Sequence, residues 1–359
     1  MSSIPQTMRG AMLLGPEQIE IRDVPIQRPA QGELLLRIQA ATTCGTDVKV
    51  FRRGGHPRML QVPTLFGHEM AGTVAEVGRG VTQFQPDDAV VVANSAPCGA
   101  CRTCKTGREN LCDDLHYING AFAEYLLVPA RFVARNTHAL PKGLDFSKAA
   151  LTEPLACALH GINACELEKF EPDTEIAVYG AGPMGLLFVA ALSMRGFRVL
   201  LADPNPARLA VGQRLGATGT LKIARGGGQA ERVRDMSEDG RGVYVAIDCT
   251  GVPEVWNDAI DSLLPGGLVN LFGGCAPGTT IELDTDLVHY NELTINGVYH
   301  HRPATIRAAL DLLCNPAFRA DLLLSAEASI EGVEEALRSM MRKENLKVVI
   351  RGEDDRAVV

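Results

Sequence analysis

The pattern of apolar and polar positions divides the chain into two parts with different rhythms. Over about the first 150 residues, short apolar runs are separated by Gly and Pro, which is typical of strands in an irregular β-rich unit. Four such runs are predicted strands: Leu34–Ile38, Gly72–Val77, Ala89–Val92 and Phe122–Val128. From about Glu153, fully apolar strand segments alternate with helical segments. This alternation predicts a parallel, doubly wound sheet that is covered on both faces.

The elements of the second part follow from the same alternation. Strands are predicted at Ile176–Tyr179, Val199–Ala202, Val243–Ile247, Leu268–Phe272 and Leu293–Val298. Helices are predicted at Leu186–Arg195, Ala207–Leu215 and Glu254–Leu264, with a Gly-rich surface loop at 225–229. The tail is predicted to form helices at Thr305–Leu313 and Ile330–Met341 and a last strand at Lys347–Ile350. Periodicity alone does not decide which part of the protein this last strand joins.

Composition and charge narrow the class of protein. A chain of 359 residues suggests two domains, and 46% hydrophobic with 22% charged residues permits a sizeable core and argues against wholesale disorder. The longest apolar stretch, Gly185–Met194, is about half of the ~18 residues that span a bilayer, and the first residues lack the apolar segment of a signal peptide. The net charge of −8, without a run of Lys or Arg, gives no footprint for nucleic acid or an anionic membrane. We therefore expect a cytoplasmic protein that acts on a small molecule.

Four of the ten cysteines form a cluster, Cys98, Cys101, Cys104 and Cys112, with spacings of two, two and seven residues. In a chain without a secretion signal, clustered thiols indicate metal or redox chemistry rather than disulfides. Four thiolates can close a tetrahedral shell around zinc and leave no open position, as in structural sites. An iron–sulfur cluster is a weaker alternative because its usual run places the fourth cysteine differently. Four unrelated surface thiols are the remaining alternative.

A second candidate metal site combines Cys44 in CGTD, His68 and Glu69 in GHE, and Glu153 in TEP. Each residue alone has an ordinary explanation: a packed thiol, a buried histidine, a carboxylate at a helix start. Together they offer one thiolate, one imidazole and one or two carboxylates, which suits a zinc ion with a position open to water or substrate. The negative charges of Cys44 and Glu153, beside a neutral His68, would balance the two charges of the ion.

A glycine motif follows the predicted strand Ile176–Tyr179. The motif, Gly180-Ala181-Gly182-Pro183-Met184-Gly185, permits a tight turn, close approach of backbone N–H groups to a pyrophosphate, and helix packing on the strand. Asp203 ends the next strand 18 residues after Gly185, where a carboxylate can accept both adenosine ribose hydroxyls and repel a 2′-phosphate. NAD is therefore favoured over NADP. NADP is the alternative cofactor because Arg208 could stack on adenine or tolerate the phosphate. The alternative for the whole motif is a glycine-rich turn that binds no ligand.

Several motifs, spread over nearly the whole chain, carry a family resemblance. They are CGTD from Cys44, FGHEMAGTVAEVG from Phe66, the cysteine cluster, TEPLACALHG from Thr152, GAGPMG from Gly180, IDCTG from Ile247 and LKVVIRG from Leu346. In this combination the sequence resembles the zinc-containing medium-chain alcohol dehydrogenases, close to the sorbitol (polyol) and threonine dehydrogenase branch.

The resemblance implies an α/β protein with a GroES-like β-barrel catalytic domain (1–153 and 299–359, with a zinc lobe at 97–113) and a Rossmann domain (154–298). It places the last strand with the first domain. It implies two zinc ions per chain: a structural ion at the four clustered cysteines and a catalytic ion at Cys44, His68 and Glu153, with Glu69 orienting a zinc-bound water or replacing a ligand transiently. It also implies a homodimer or homotetramer.

The resemblance further implies NAD contacts beyond the glycine motif. These are expected at Thr250 of IDCTG and at two strand ends, Leu271, Phe272 and Gly273, and Val298, Tyr299 and His300. The implied reaction passes a hydride from a carbinol carbon to NAD, with Thr46 accepting the departing proton. A simple turn hydroxyl is the alternative for Thr46. Lys49 stands where many relatives have a relay histidine, so the sequence does not identify the outer part of the proton path. His56 is either a substitute for that histidine or a solvated loop residue.

The substrate class follows from the segment predicted to line the pocket, Phe51–Met59, together with residues 299–302. Its stretch RRGGHPR, Arg52–Arg58, is polar and basic and suits a polyhydroxylated substrate, although such loops are often merely solvated. We expect a secondary alcohol of a polyol, sugar alcohol or cyclitol. A threonine-like amino alcohol or a general alcohol is the alternative. A catalytically inactive relict is a second one, disfavoured because Cys44, His68, Glu69 and Glu153 are all present.

Overall fold

The computed structural model describes residues 4–352. Within this range the chain forms two compact units. The first comprises the residues up to Ala156, Arg302–Pro316 and the residues from Leu323 onward; the second comprises Cys157–His301 and Ala317–Leu322. The outermost residues of the predicted catalytic domain, 1–3 and 353–359, lie outside the described residues.

The N-terminal part is built mostly from short strands. These are β1 Thr7–Gly15, β2 Gln18–Pro25, β3 Leu34–Thr42, β4 Thr64–Leu65, β5 Glu69–Val77, β6 Ala89–Val92, β7 Ser95–Ala96, β8 His116–Tyr117, β9 Tyr125–Val128 and β10 Thr137–Ala139. Its helices are α1 Gly45–Arg53, α2 Arg102–Lys105, α3 Ala130–Asn136, α4 Phe146–Ala149 and α5 Thr152–Asn163. The boundary between the two units falls inside α5.

From residue 175, strands and helices alternate as the sequence predicts, although three of these elements were not predicted individually: Gly219–Lys222, Ala230–Met236 and Thr285–Tyr290. They are β11 Glu175–Tyr179, α6 Pro183–Ser193, β12 Arg198–Asp203, α7 Pro206–Arg214, β13 Gly219–Lys222, α8 Ala230–Met236, β14 Val243–Asp248, α9 Pro253–Asp261, β15 Leu263–Leu271, α10 Thr285–Tyr290 and β16 Thr294–Gly297. The tail forms α11 Pro303–Leu313, β17 Leu324–Ser329, α12 Val333–Met341 and β18 Lys347–Arg351.

The second unit contains one six-stranded sheet in the order β13-β12-β11-β14-β15-β16. Every adjacent pair in it is parallel. Ile176, Ala177, Val178 and Tyr179 on β11 are each at most 1% exposed, so this strand is covered on both faces. The predicted α/β class and the parallel sheet are confirmed.

The sheet that carries the candidate metal site has the order β10-β6-β5-β3-β18-β17, with β9 also paired to β3. In it Thr42 at the end of β3 lies opposite Glu69 at the start of β5 and opposite Val349 of β18. The chain segments before Cys44, after His68 and after Leu346 therefore meet at one place. The closing strand thus joins the N-terminal sheet, as the resemblance implies.

Two of the predicted boundaries that differ from the structure have a clear physical cause. The helix predicted to reach Leu264 ends at Asp261, and β15 begins at Leu263, because Pro265 disfavours helical backbone in the residue before it and supplies no N–H. The strand predicted from Phe122 begins only at Tyr125, since the backbone of Phe122 is bonded to Phe66 and Ala11 instead.

None of the helices within residues 4–352 combines the length and the apolar character that crossing a lipid bilayer requires.

Candidate metal and dinucleotide sites

Cys44, His68 and Glu69 bring one potential ligand atom each to within 4.8 Å of one another. Cys44 is the N-cap of α1, and its Sγ accepts the backbone N–H of Thr46 at 3.4 Å. His68 and Glu69 stand at the beginning of β5, and both are buried. The N-cap of α1 and the start of β5 thus bring three of the predicted site residues together.

Asp47 fixes two of these residues at once. Its Oδ2 accepts the backbone N–H of Cys44 at 2.9 Å, which completes a capping box, and its Oδ1 lies 2.9 Å from Nδ1 of His68. With the Nδ1 proton directed at Asp47, Nε2 of His68 remains as the metal-binding atom. Asp47 is not among the predicted site residues, although a capping residue followed by an Asp three positions later is a recognisable sequence signal.

The electrostatics of this pocket favour a cation. Burial alone would lower the pKa of His68, but the charge and hydrogen bond of Asp47, with a smaller contribution from Cys44, raise that pKa well above its ordinary value. The surroundings of the imidazole therefore stabilise positive charge. A divalent ion would supply that charge, and the Cys44 thiolate would be a soft ligand for it. The residues present fit zinc.

Glu69 is held in a buried ion pair that the sequence analysis missed. Lys347 Nζ lies 2.6 Å from Oε2 and 2.9 Å from Oε1 of Glu69, and donates to the carbonyl of Thr43 at 2.6 Å. The hydroxyl of Thr42 donates to the same carboxylate. Burial alone would lower the pKa of Lys347, but Glu69 raises it above its usual value. The only sequence signal was a single charged residue at the start of an otherwise apolar strand.

Glu153 lies in the first turn of α5 and is 6% exposed. Among the described residues, the group of ligand atoms around Cys44 and His68 does not include it. Glu153 therefore remains a predicted ligand. It lies on α5, whereas Cys44 caps α1 and His68 and Glu69 lie at the start of β5.

The candidate proton-path residues lie on and after α1. Thr46 is half-buried in the first turn and Lys49 is exposed. Nδ1 of His56 accepts the backbone N–H groups of Arg58 and Met59 at 3.2 and 3.1 Å, and burial together with Arg53 and Arg58 lowers the pKa of His56. An imidazole so engaged is a poor proton acceptor, which favours the loop role for His56.

Phe51, predicted to line a substrate pocket, belongs to the hydrophobic core of the first unit instead. It is completely buried, with the guanidinium of Arg338 5.3 Å from its ring centroid. The reason is that Phe51 lies on the buried face of the amphipathic helix α1, together with Asp47 and Val50.

Cys98, Cys101, Cys104 and Cys112 form a second group whose sulfur atoms lie within 4.8 Å of one another. The Sγ atoms of Cys98 and Cys104 are 3.9 Å apart, and those of Cys101 and Cys112 are 3.8 Å apart. Backbone N–H groups of Ala100 and Cys101 donate to Cys98, and that of Cys98 donates to Cys112, at 3.2–3.3 Å. Such donors stabilise thiolates, so the cluster fits a tetrahedral zinc ion.

Each glycine of the motif after β11 has its own steric reason. A Cβ at Gly180, where φ is +99°, would lie 2.8 Å from the Thr250 methyl group, and one at Gly185 would lie 1.8 Å from the carbonyl oxygen of Gly180. A Cβ at Gly182, the N-cap of α6, would meet no protein atom within 4 Å. Pro183 occupies the first turn of α6 and Met184 follows it, half-buried. The open space beside Gly182, at a helix N-terminus, is the cradle that a phosphate needs.

Asp203 ends β12 and is 7% exposed. Its Oδ2 accepts the N–H of Ala181 and its Oδ1 that of Asn205, both at 2.7 Å, which joins the carboxylate to the glycine turn and leaves each oxygen further acceptor capacity. Arg208 follows on α7; burial lowers its pKa, and the charge of Asp203 opposes that shift. The two residues on which the predicted choice between NAD and NADP rests thus interact with each other.

The remaining predicted cofactor residues lie on three segments of the same unit. Thr250 and Gly273 flank the ends of β14 and β15; Leu271 is buried, and Phe272 packs edge-on against Phe188 at 5.0 Å. Val298, Tyr299 and His300 follow β16. The rings of Tyr299 and His300 are 5.6 Å apart, and His300 adopts a left-handed backbone with φ of 64°.

Comparison with known proteins places these sites in a family. The sequence matches the family described as "Alcohol dehydrogenase GroES-like domain" over residues 30–141 and that described as "Zinc-binding dehydrogenase" over residues 183–315. It is 30% identical over 357 residues to a sorbitol dehydrogenase of Bacillus subtilis (strain 168), covering 97% of this chain and 98% of the relative. It is 30% identical over 302 residues to an L-threonine 3-dehydrogenase of Shewanella loihica, covering 81% of this chain and 84% of the relative.

A crystal structure described as a zinc-binding dehydrogenase from Sinorhizobium meliloti 1021 bound to NADP superimposes with a TM-score of 0.88. It is 29% identical in sequence, and the match covers 97% of this chain and all of the other. With both sequence matches and the parallel sheet, the chain belongs to the zinc-containing medium-chain alcohol dehydrogenase family.

Proposed function

We propose that this protein oxidises a secondary alcohol of a polyol, sugar alcohol or cyclitol to the ketone, with NAD as hydride acceptor and zinc as the catalytic metal. The observation that carries the proposal is the convergence of Cys44, His68 and Asp47 on one cation-attracting pocket. It is supported by similarity to a sorbitol dehydrogenase along nearly the whole chain.

Cys44, His68 and Glu153 would hold the catalytic zinc. When bound, the ion supplies Lewis acidity that lowers the pKa of an alcohol hydroxyl. Asp47 sets the orientation and tautomer of His68 and holds the N-cap that carries Cys44. Glu69 is already neutralised by Lys347, so its proposed role is to shape the site and to replace a ligand only transiently. The four clustered cysteines would hold a second, structural zinc.

Thr46 is the proposed proton acceptor. Its backbone N–H is bonded to Cys44 Sγ, which places its hydroxyl next to a ligand residue in the first turn of α1. A half-buried hydroxyl at this position can take the proton of an alcohol and pass it outward. Lys49 is exposed one turn later, and solvent is the proposed final acceptor.

The dinucleotide would lie at the glycine turn between β11 and α6, with its pyrophosphate in the space beside Gly182. When bound, its nicotinamide supplies the hydride acceptor. Asp203 favours NAD because its remaining acceptor capacity suits ribose hydroxyls. NADP is the second candidate, favoured by Arg208 and by the NADP in the Sinorhizobium structure. The ratio of kcat/KM for NAD and NADP, in wild type and Asp203→Ala, tests this choice; a loss of NAD preference in the variant is expected.

The substrate class rests on the basic surface at the end of α1, where Arg52, Arg53 and Arg58 are exposed. Guanidinium groups there suit hydroxyl-rich substrates better than long apolar alcohols. A threonine-like amino alcohol is the second candidate because of the similarity to an L-threonine 3-dehydrogenase, followed by a general alcohol. An inactive relict is disfavoured since no ligand residue is lost.

We also propose the domain limits 1–153 with 299–359 for the catalytic domain and 154–298 for the dinucleotide-binding domain. The proposed assembly is a homodimer or a homotetramer, and light scattering would distinguish the two.

The test is metal analysis combined with a substrate panel. Two zinc ions per chain and reduction of NAD with polyols or cyclitols, but weakly with threonine or simple alcohols, are expected. Cys44→Ser should abolish turnover, whereas the same substitution at the exposed Cys314 should not. Two zinc ions without turnover on any alcohol would favour the relict, and strongest activity on threonine would move the proposal to the amino-alcohol branch.

A further inference from the structure

Asp248, at the end of β14, is a completely buried carboxylate whose four hydrogen-bond partners are all neutral. Oδ1 accepts the backbone N–H and the hydroxyl of Thr250, at 3.1 and 2.6 Å. Oδ2 accepts the N–H of Gly251 and the indole N–H of Trp256, both at 3.0 Å. The acceptor capacity of both oxygens is therefore filled by two adjacent loop residues and one helix residue.

These bonds determine which way Thr250 faces. Its hydroxyl donates to Asp248 and accepts the N–H of Val252 at 3.1 Å, so the hydroxyl is engaged on both sides. What Thr250 presents to the glycine turn is its methyl group, which would lie 2.8 Å from a Cβ at Gly180. The carboxylate of Asp248 thus sets the surface against which the first glycine of the dinucleotide motif packs.

The same carboxylate joins a second loop. The indole N–H of Trp256 is shared between Asp248 and the carbonyl of Gly273 at 3.1 Å, and the Gly273 N–H donates to the Asp248 carbonyl at 2.8 Å. A Cβ at Gly273 would lie 2.3 Å from the Gly251 nitrogen and 2.5 Å from Asp248 Oδ2. The turns at 249–252 and 272–274 are therefore held together by these hydrogen bonds, so closely that no side chain fits at Gly273.

We propose that Asp248, acting with Trp256, is a positioning residue of the dinucleotide site: it locks the two turns that follow β14 and β15 and thereby holds the glycine turn in its binding shape. This inference rests on the proposed function, because the site must bind a dinucleotide. Asp248 itself acts only through Thr250, Gly251 and the 272–274 turn. Burial raises its pKa, and the four donors oppose that shift.

The variant that tests this is Asp248→Asn. It keeps the shape of the side chain but replaces one accepting oxygen by an NH₂ group, which cannot accept the hydrogen bonds of the existing donors. The matched control is Asp258→Asn: Asp258 is also a buried aspartate of this unit, 3% exposed, but its Oδ1 accepts the N–H groups of Gly228 and Gln229, away from the glycine turn. Trp256 is the chain's single tryptophan, so its fluorescence reports both the lock and the binding of NADH by quenching and energy transfer.

For Asp248→Asn we expect the Kd for NADH to rise about tenfold or more, which corresponds to ~1.4 kcal/mol, with a shifted Trp256 emission. The kcat at saturating NAD should change much less than KM. Asp258→Asn should lower the melting temperature while leaving the Kd for NADH within about twofold of wild type. An Asp248→Asn protein that binds NADH as tightly as wild type, with unchanged emission, would overturn the inference.

Thr250→Val covers the case in which Asp248→Asn does not fold. It keeps the methyl group, removes the hydroxyl that Asp248 holds, and leaves Trp256 as reporter; we expect weaker NADH binding, and unchanged binding would contradict the lock. Wild-type protein that binds neither NADH nor NADPH would instead refute the proposed function. The two failures are therefore distinguishable.

Discussion

Removing Lys347 should destabilise the first unit more than a single surface substitution can. The side chains of Lys347 and Glu69 are 1% and 0% exposed, and the ammonium directs its three donors at two carboxylate oxygens and one carbonyl. Lys347→Met fills a similar volume but leaves the Glu69 carboxylate buried, with the Thr42 hydroxyl still donating to it. Breaking a buried pair from one side costs about 3–5 kcal/mol, because the uncompensated charge stays in low dielectric.

The assay is thermal unfolding of the zinc-loaded protein, followed by circular dichroism. For a cooperative unit of 150–250 residues, each kcal/mol corresponds to about 2–4 °C, so a drop of roughly 6–20 °C is expected. The control is Arg342→Met, which removes an exposed cation paired with Glu335 and Glu344 and should hardly move the transition.

A double variant separates the pair from its parts. In Lys347→Met with Glu69→Gln, neither member of the pair leaves an uncompensated charge, so the loss should be clearly smaller than the sum of the two single losses. Additive losses, or a Lys347→Met protein that melts within about 2 °C of wild type, would refute the reasoning that these two groups neutralise each other.

Three further expectations follow from the sites. Cys101→Ser should reduce the zinc content from two ions to one and lower stability, whereas Cys44→Ser should abolish turnover but leave NADH binding intact; metal analysis and fluorescence titration distinguish them. Gly185→Ala should prevent folding of the β11–α6 turn, because its Cβ would lie 1.8 Å from a carbonyl oxygen, while Gly182→Ala should fold normally and weaken NADH binding. Asp47→Asn should lower zinc affinity about 10–100-fold in chelator competition, and unchanged affinity would contradict its role in orienting His68.

The features that could be predicted from the sequence are those with local signals. The parallel strands are continuous apolar runs, the cysteine cluster lies within 15 residues, and the glycine turn is bounded by its own strand and helix. In each case the residues that make the structure are neighbours in the chain, so spacing alone carries the information.

The features that could not be predicted depend on distant pairing. Glu69 and Lys347 are 278 positions apart, and they meet only because β5 and β18 both pair with β3. Phe51 does not face a pocket as predicted, because the charged residues after it indicate a loop, whereas α1 turns Phe51 into the core. Asp248 was missed because a buried aspartate that is satisfied by neutral donors has no sequence signature separate from the strand end it occupies.

The charges around Cys44 disfavour Glu69 as a lasting ligand of the metal, the role that we predict for Glu153. A charge balance of Cys44 and Glu153 against a divalent ion omits two features of the site. Asp47 is hydrogen-bonded to both Cys44 and His68, and Glu69 is paired with Lys347. Lys347 cancels the charge of Glu69 and, with Thr42, engages both of its oxygens. For Glu69 to become a lasting ligand, a buried ammonium would have to lose its partner, at a cost comparable to breaking the pair. The lasting ligand is therefore expected from the first turn of α5 rather than from Glu69.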